Sequence, residues 1–185
     1  PLARLFIERF VEATRELAKV GDPSDPDVVV GPIIDRANLE RTVEWIARAR
    51  AAGARVLCGG EVAQGHPSCV APAVITHADP ELEVCAEEAF APLVVIERVK
   101  DWDEAIARTN DSRFGLQCGV FTNDLAAAWR CFEQIQVGGV IHNDFPTFRV
   151  DHMPYGGVKD SGFGREGPRY AMEEMSELRL LVLNP

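Results

Sequence analysis

The chain has 185 residues, 46% hydrophobic and 26% charged, a mixture and length that suit one globular domain. Nineteen basic side chains against 29 acidic ones leave a net charge of −10, which repels phosphate backbones and anionic lipid and argues against nucleic-acid or membrane partners. No apolar run approaches the ~20 residues needed to cross a bilayer, and no signal peptide precedes the helical pattern that begins at Pro1, a start expected of a cut inside a longer protein.

Leu2, Leu5, Phe6, Phe10, Ala13 and Leu17 recur at helical spacing, and Gly21 is expected to stop that helix in a left-handed conformation. After an Asp- and Pro-rich loop, Asp35 caps a second helix through Leu39, Val43 and Ile46, with Gly53 as its terminator. Arg55 to Cys58 is a short strand turned by Gly59-Gly60; residues 69–75 form a weak one interrupted by Pro72, and Asp79-Pro80 opens a short helix. Leu93 to Val99 is β-branched and expected to be buried, and Asp101 with Glu104 resembles a capping box for a helix to Arg108. Gln117 to Thr122 is a strand, and Asp124 caps a helix whose apolar set is Leu125, Ala128, Trp129, Phe132 and Ile135. Val140-Ile141 begins another strand after Gly138-Gly139. From Asn143 to Gly167 periodicity gives way to Gly, Pro and Asp, the mark of a functional loop. Pro168 opens a helix to about Met175, and Leu178 to Leu183 reads as a terminal strand. Strands alternating with helices predict an α/β fold with a mostly parallel sheet flanked by helices.

Single motifs do not reach a reaction. Gly162, Gly164 and Gly167 match the letters of G-x-G-x-x-G, but a polar loop precedes them and the acid needed ~20 residues later is lacking. A tight turn running into a helix is the better reading. The five cysteines, Cys58, Cys69, Cys85, Cys118 and Cys131, contain no C-x-x-C pair and are expected as reduced thiols in a cytoplasm. Cys85 stands near Glu87 and Glu88, which disfavour a thiolate, and Cys118 and Cys131 fall in core patterns. His142, Asp144, Asp151 and His152 lie close in sequence but match no regular ligand spacing, so solvated loop charges are preferred over a metal site. Glu87-Glu88 before Phe90 and Pro92 reads, taken alone, as a helix end with packing beyond it.

Four stretches taken together resemble the aldehyde dehydrogenase superfamily along the whole chain: Val20-Gly21-Asp22-Pro23 with Val30-Gly31-Pro32-Ile33-Ile34; Glu87-Glu88-Ala89-Phe90-Ala91-Pro92, where Ala91 replaces the family's usual Gly; Thr109 to Leu116; and Asn143 with Pro154-Tyr155-Gly156-Gly157-Val158-Lys159-Asp160-Ser161-Gly162, continued by Gly164-Arg165-Glu166-Gly167. Met175 and Arg179 depart from the family's closing residues. The resemblance implies oxidation of an aldehyde to its acid with NAD or NADP, through a cysteine thiohemiacetal and thioester. The nucleophile, the water-activating glutamate and the Rossmann-like cofactor domain are expected upstream of this sequence, so no catalytic residue is assigned within it and the isolated chain is expected to be inactive. Residues 1–177 would be part of the catalytic domain and 178–185 the strand of an oligomerisation sheet, giving a homo-dimer or homo-tetramer.

By the same resemblance, Glu88 is implied to accept the nicotinamide ribose hydroxyls and Phe90 to flank the ring. Asn143, Gly156 and Gly157 are implied in an active-site loop. Phe148, Arg149, His152 and Tyr155 fall in the aldehyde-pocket segment, which looks most like the branch acting on lactaldehyde, glyceraldehyde phosphate or phosphonoacetaldehyde. A guanidinium fork at Arg149 suits an anionic group on a small aldehyde, while pairing of Arg149 with Asp144 or Asp151 is the competing reading. Two other classes stay open: a non-catalytic module pairing with full-length subunits, and a reductase of activated acyl groups.

Overall fold

The computed structural model describes residues 2–184, so Pro1 and Pro185, the ends of the expected catalytic-domain and terminal-strand spans, lie outside the described residues. The chain gathers into two compact units, the first ending at Arg98 and the second starting at Val99. Each is built from short strands and helices in the α/β manner.

In the first unit, α1 (Leu2–Leu17) is amphipathic as its spacing predicts, yet none of its residues is buried. It ends before Gly21, which is not left-handed as expected. That position is small because a Cβ there would stand 3.0 Å from the Val28 side chain. Helix α2 (Arg36–Ala51) starts where Asp35 accepts a hydrogen bond from the Asn38 N–H, and Gly53 follows its end at φ 103°. The three-stranded sheet runs β1 (Arg55–Cys58), β2 (Ala73–Thr76), β3 (Leu93–Ile96), with β1 antiparallel and β3 parallel to β2. Strand β2 is central and wholly buried, whereas β3 stands at the sheet edge, so the burial expected of it is only partial. Ile46, Ala49, Ala73, Ile75 and Val84 of α2, β2 and the short α3 (Glu83–Ala86) form the core. Ile46 is 1% exposed, so Ile46→Ala removes a filled volume and should cost about 2–5 kcal/mol in chemical denaturation.

In the second unit, Asp101 accepts from the Glu104 N–H to start α4 (Trp102–Asn110), and the Glu104 carboxylate accepts from Lys100 N instead of closing a reciprocal box on Asp101. A two-residue β4 (Phe114–Gly115) pairs antiparallel with β7 (Val158–Lys159), and β5 (Gln117–Val120) pairs parallel with β6 (Gly139–His142). Helix α5 (Leu125–Gln134) is capped by Asp124 as expected, but its expected apolar set splits over two faces. Cys131 and the adjoining Ile135 meet the core with Ile106 and Val120, and Ala127 and Ala128 are buried, while Leu125, Trp129 and Phe132 stand in solvent. The helix carries two apolar stripes at i, i+4 spacing, and its own unit covers one.

Pro168 opens α6 (Pro168–Glu174). The expected terminal strand, Leu178 to Leu183, pairs with no strand among the described residues and its side chains are exposed. An apolar strand lacking a partner edge has no ladder to join within this chain. Over both units, the parallel ladders hold four residue pairs each and the antiparallel ones three and two. Among the described residues no helix is long and apolar enough to cross a membrane.

Candidate active site

The first cluster of candidates lies on the loop between α3 and β3. Helix α3 ends at Ala86, and the chain must reverse within six residues to enter β3, which leaves residues 87–92 irregular. Glu88 is exposed and its carboxylate makes no hydrogen bond or ion pair among the described residues. Phe90 is 81% exposed and holds φ 45°, a left-handed backbone that costs a bulky L-residue about 1 kcal/mol or more. Ala91 is not left-handed, so the methyl that replaces the family glycine meets no backbone strain. An open cleft of ≈ 460 Å³ is lined by Val84, Cys85, Glu87, Phe90, Val94 and Glu97, among others, but not by Glu88. Burial pushes the Cys85 thiol up, and Glu97 and Asp79 push it further, so the carboxylates that disfavour its thiolate are not the neighbouring Glu87 and Glu88. Burial likewise raises Cys118 and Cys131, which suits packing better than nucleophilic attack.

The second cluster lies in the irregular segment after β6. Asn143 sits at φ 55° at the strand's end, where its N–H donates to Val120 O and its Oδ1 accepts from Thr122 N. One residue, through a backbone and a side-chain bond, thereby ties the ends of both parallel strands. Phe148 is anchored through its carbonyl, which accepts from Gln117 Nε2 at 3.2 Å. Arg149 pairs with neither Asp144 nor Asp151: its Nη2 donates to Glu166 Oε2 at 2.6 Å, and its guanidinium lies 4.7 Å from the centre of the Tyr155 ring. The Tyr155–Glu166 bridge brings a carboxylate distant in sequence to the arginine, while Asp144 accepts from the Phe145 N–H. His152 is exposed and makes no hydrogen bond among the described residues. The segment therefore brings Arg149 and Tyr155 into contact and leaves His152 outside that contact.

Glycines set the path of the loop. A Cβ on Gly156 would stand 2.7 Å from Gly164 O, and one on Gly157 would overlap the Ser161 side chain. Three residues that sequence reasoning passed over complete the scaffold. Lys159 Nζ donates to Asn110 O and Ser112 O, each at 2.8 Å, closing the C-terminal end of α4. Ser161 Oγ accepts from Gly115 N, and Arg165 Nη1 donates to Gly157 O and Gly164 O. The signal was present: the Asn110–Leu116 and Pro154–Gly162 stretches are both motif-dense, and Phe114 and Gly115 pair with Lys159 and Val158.

Residues 2–181 match the Aldehyde dehydrogenase family. The chain belongs to the aldehyde dehydrogenase family. The match crosses both units. The 3-sulfolactaldehyde dehydrogenase of Priestia aryabhattai is 44% identical over 179 residues, covering 97% of this chain and 37% of that protein. Among solved structures, aldehyde dehydrogenase 21 of Physcomitrella patens, in complex with the reaction product succinate, superposes with a TM-score of 0.90 at 41% identity, over 95% of this chain and 36% of that one. The glyceraldehyde-3-phosphate dehydrogenase of Methanocaldococcus jannaschii complexed with NADP gives 0.87 at 38% identity, over 95% and 37%. This aldehyde dehydrogenase chain spans a little over a third of the length of the curated relatives it matches.

Proposed function

We propose that this chain is the nicotinamide- and substrate-facing portion of an NAD- or NADP-dependent aldehyde dehydrogenase that converts a small anionic aldehyde to its carboxylic acid. The observation that carries the reading is the pairing, on one short loop, of an exposed carboxylate without a partner and an exposed aromatic held in a strained backbone. Neither stabilises its own unit, and strain kept at an exposed side chain signals a binding role.

The residues present fit a nicotinamide riboside. Glu88 offers two carboxylate oxygens to two adjacent ribose hydroxyls. Phe90 offers an apolar face that fixes one orientation of a flat ring. When bound, the nicotinamide supplies the hydride acceptor for the oxidation. On the second unit, Asn143 holds the loop's entry fixed, Gly156 and Gly157 permit close backbone packing, and Phe148 and Tyr155 provide apolar lining. Arg149 supplies the charge that recognises the anionic group, with His152 beside it in sequence. The thiol that attacks the aldehyde and the glutamate that activates water are expected in the part of the relatives that this chain does not span, and burial disfavours the thiolates of Cys85, Cys118 and Cys131. Three of the relatives support the substrate class, their named aldehyde or product carrying a sulfonate, a carboxylate or a phosphate, whereas others are named for the uncharged lactaldehyde or the cationic betaine aldehyde.

The exposed leucines of 178–183 suit pairing with another copy, as a homo-dimer or homo-tetramer, and thiols without disulfides suit a reducing cytoplasm. The same exposed apolar segment favours the second reading, a non-catalytic module that binds full-length subunits. In the intact protein bearing this sequence, Glu88→Gln should raise the cofactor KM about tenfold, the weight of a charge-assisted hydrogen bond, while the aldehyde KM changes far less. An unchanged cofactor KM would remove Glu88 from the site; an intact protein without dehydrogenase activity would favour the module.

A further inference from the structure

We propose that Glu166 is the positioning residue for Arg149, holding its guanidinium in the orientation in which an anionic substrate group meets it; this rests on the substrate-binding reading of Arg149 given above. Tyr155 and Glu166 face each other in an isolated antiparallel bridge, with Tyr155 N–H donating to Glu166 O at 3.2 Å and Glu166 N–H donating to Tyr155 O at 2.6 Å. The two side chains that touch Arg149, the ring at 4.7 Å and the carboxylate at 2.6 Å, are therefore cross-strand partners. One backbone feature delivers both supports.

The mount is itself rigid. Arg165, next to Glu166, reaches Gly157 O at 2.9 Å and Gly164 O at 2.6 Å, and its N–H reaches Glu174 Oε1 at 3.3 Å. Arg149 is long and has many rotamers, and unsupported it would have to be ordered at the moment of binding. Fixing it beforehand removes that cost from the binding step. The ion pair is end-on: only Nη2 is engaged, and Nε and Nη1 make no hydrogen bond among the described residues. Nη2 keeps its second N–H, so one edge of the guanidinium, Nη2 with Nε or with Nη1, stays available to the paired oxygens of a carboxylate, sulfonate or phosphate. Glu166 also brings a negative charge near the expected anion. Both side chains of the pair are about half exposed, so water screens that repulsion while the geometric constraint persists.

The test uses the intact enzyme with succinic semialdehyde as the anionic substrate and butanal as the neutral one, measured in Glu166→Ala, Glu166→Asp, Glu166→Gln and Arg149→Ala. Glu166→Ala and the shorter Glu166→Asp should raise the KM for succinic semialdehyde about tenfold more than that for butanal, with kcat moved by about twofold or less. Glu166→Gln retains an oxygen acceptor at the same reach and should restore most of the loss. A lower KM for succinic semialdehyde in Glu166→Ala would mean that Glu166 competes with substrate, and equal rises for both aldehydes would mean a structural role alone; either overturns the proposal. Should Glu166→Ala fail to fold, an unchanged KM in the charge-preserving Glu166→Asp overturns it as well. Arg149→Ala affecting both aldehydes equally would instead remove the underlying reading of Arg149.

Discussion

Replacing Arg149 by Ala in the intact enzyme is expected to raise the KM for carboxylated, sulfonated or phosphorylated aldehydes about ten- to hundredfold more than for neutral aldehydes of equal length. The range follows from the loss of one or two charge-assisted hydrogen bonds, each worth about 1.5–3 kcal/mol where one partner is charged. Arg149 is half exposed, which favours the lower part of that range. Its single bond to Glu166 leaves most of its donors available, so the arginine is not consumed by its own unit. Arg149→Lys is the sharper companion variant, because an ammonium keeps the charge but loses both the fork and the flat contact with Tyr155. It should recover only part of the discrimination. Parallel rises for charged and neutral substrates would show that Arg149 supports the loop and does not read the substrate.

The second large effect is expected at a glycine outside the motif's own letters. A Cβ at Gly138 would overlap the Gly156 carbonyl oxygen and stand 2.7 Å from its carbon, with Leu116 O at 3.1 Å. The colliding atoms are backbone on both sides, so no side chain can rotate away. Gly138 N also donates to Gly115 O, and Gly115 pairs with Val158, so β4 ties both segments together. Gly138→Ala should therefore cost about 3 kcal/mol, seen as a lower thermal midpoint, and should displace the Gly156–Gly157 turn. Gly53→Ala is the control: at φ 103° its Cβ meets nothing within 4 Å, and only backbone strain of about 1 kcal/mol is expected. Similar losses for the two variants would contradict a steric origin.

The helices were largely legible from sequence because their signals are local. Asp35, Asp101 and Asp124 each cap a helix from three or fewer residues away, and Pro168 opens another. The strand pairings were less legible, since β4 meets β7 across more than forty residues and only the motif resemblance hinted at it. Burial was misjudged where covering surface is required: α5 carries Trp129 and Phe132 on a face its own unit leaves bare, and Leu178 to Leu183 finds no partner strand among the described residues. Periodicity shows that a face is apolar but not what covers it. In the candidate site, the residue types around Arg149 were legible but its partner was not. Nearby aspartates were the natural choice, and a backbone bridge instead brought Glu166 from seventeen positions away. Similarly, the motif resemblance gave Lys159 no role, while in the fold it closes the end of α4.

The central claim, that this sequence serves NAD(P)-linked oxidation of a small anionic aldehyde, is tested most directly by following NADH and NADPH absorbance in the intact protein over a panel of three- and four-carbon aldehydes, each offered in a charged and a neutral version. Reduced cofactor is expected with at least one of the two nucleotides, and a kcat/KM at least about tenfold higher for the charged member of each pair. Reduced cofactor formed equally well from both members, or from none, would contradict it.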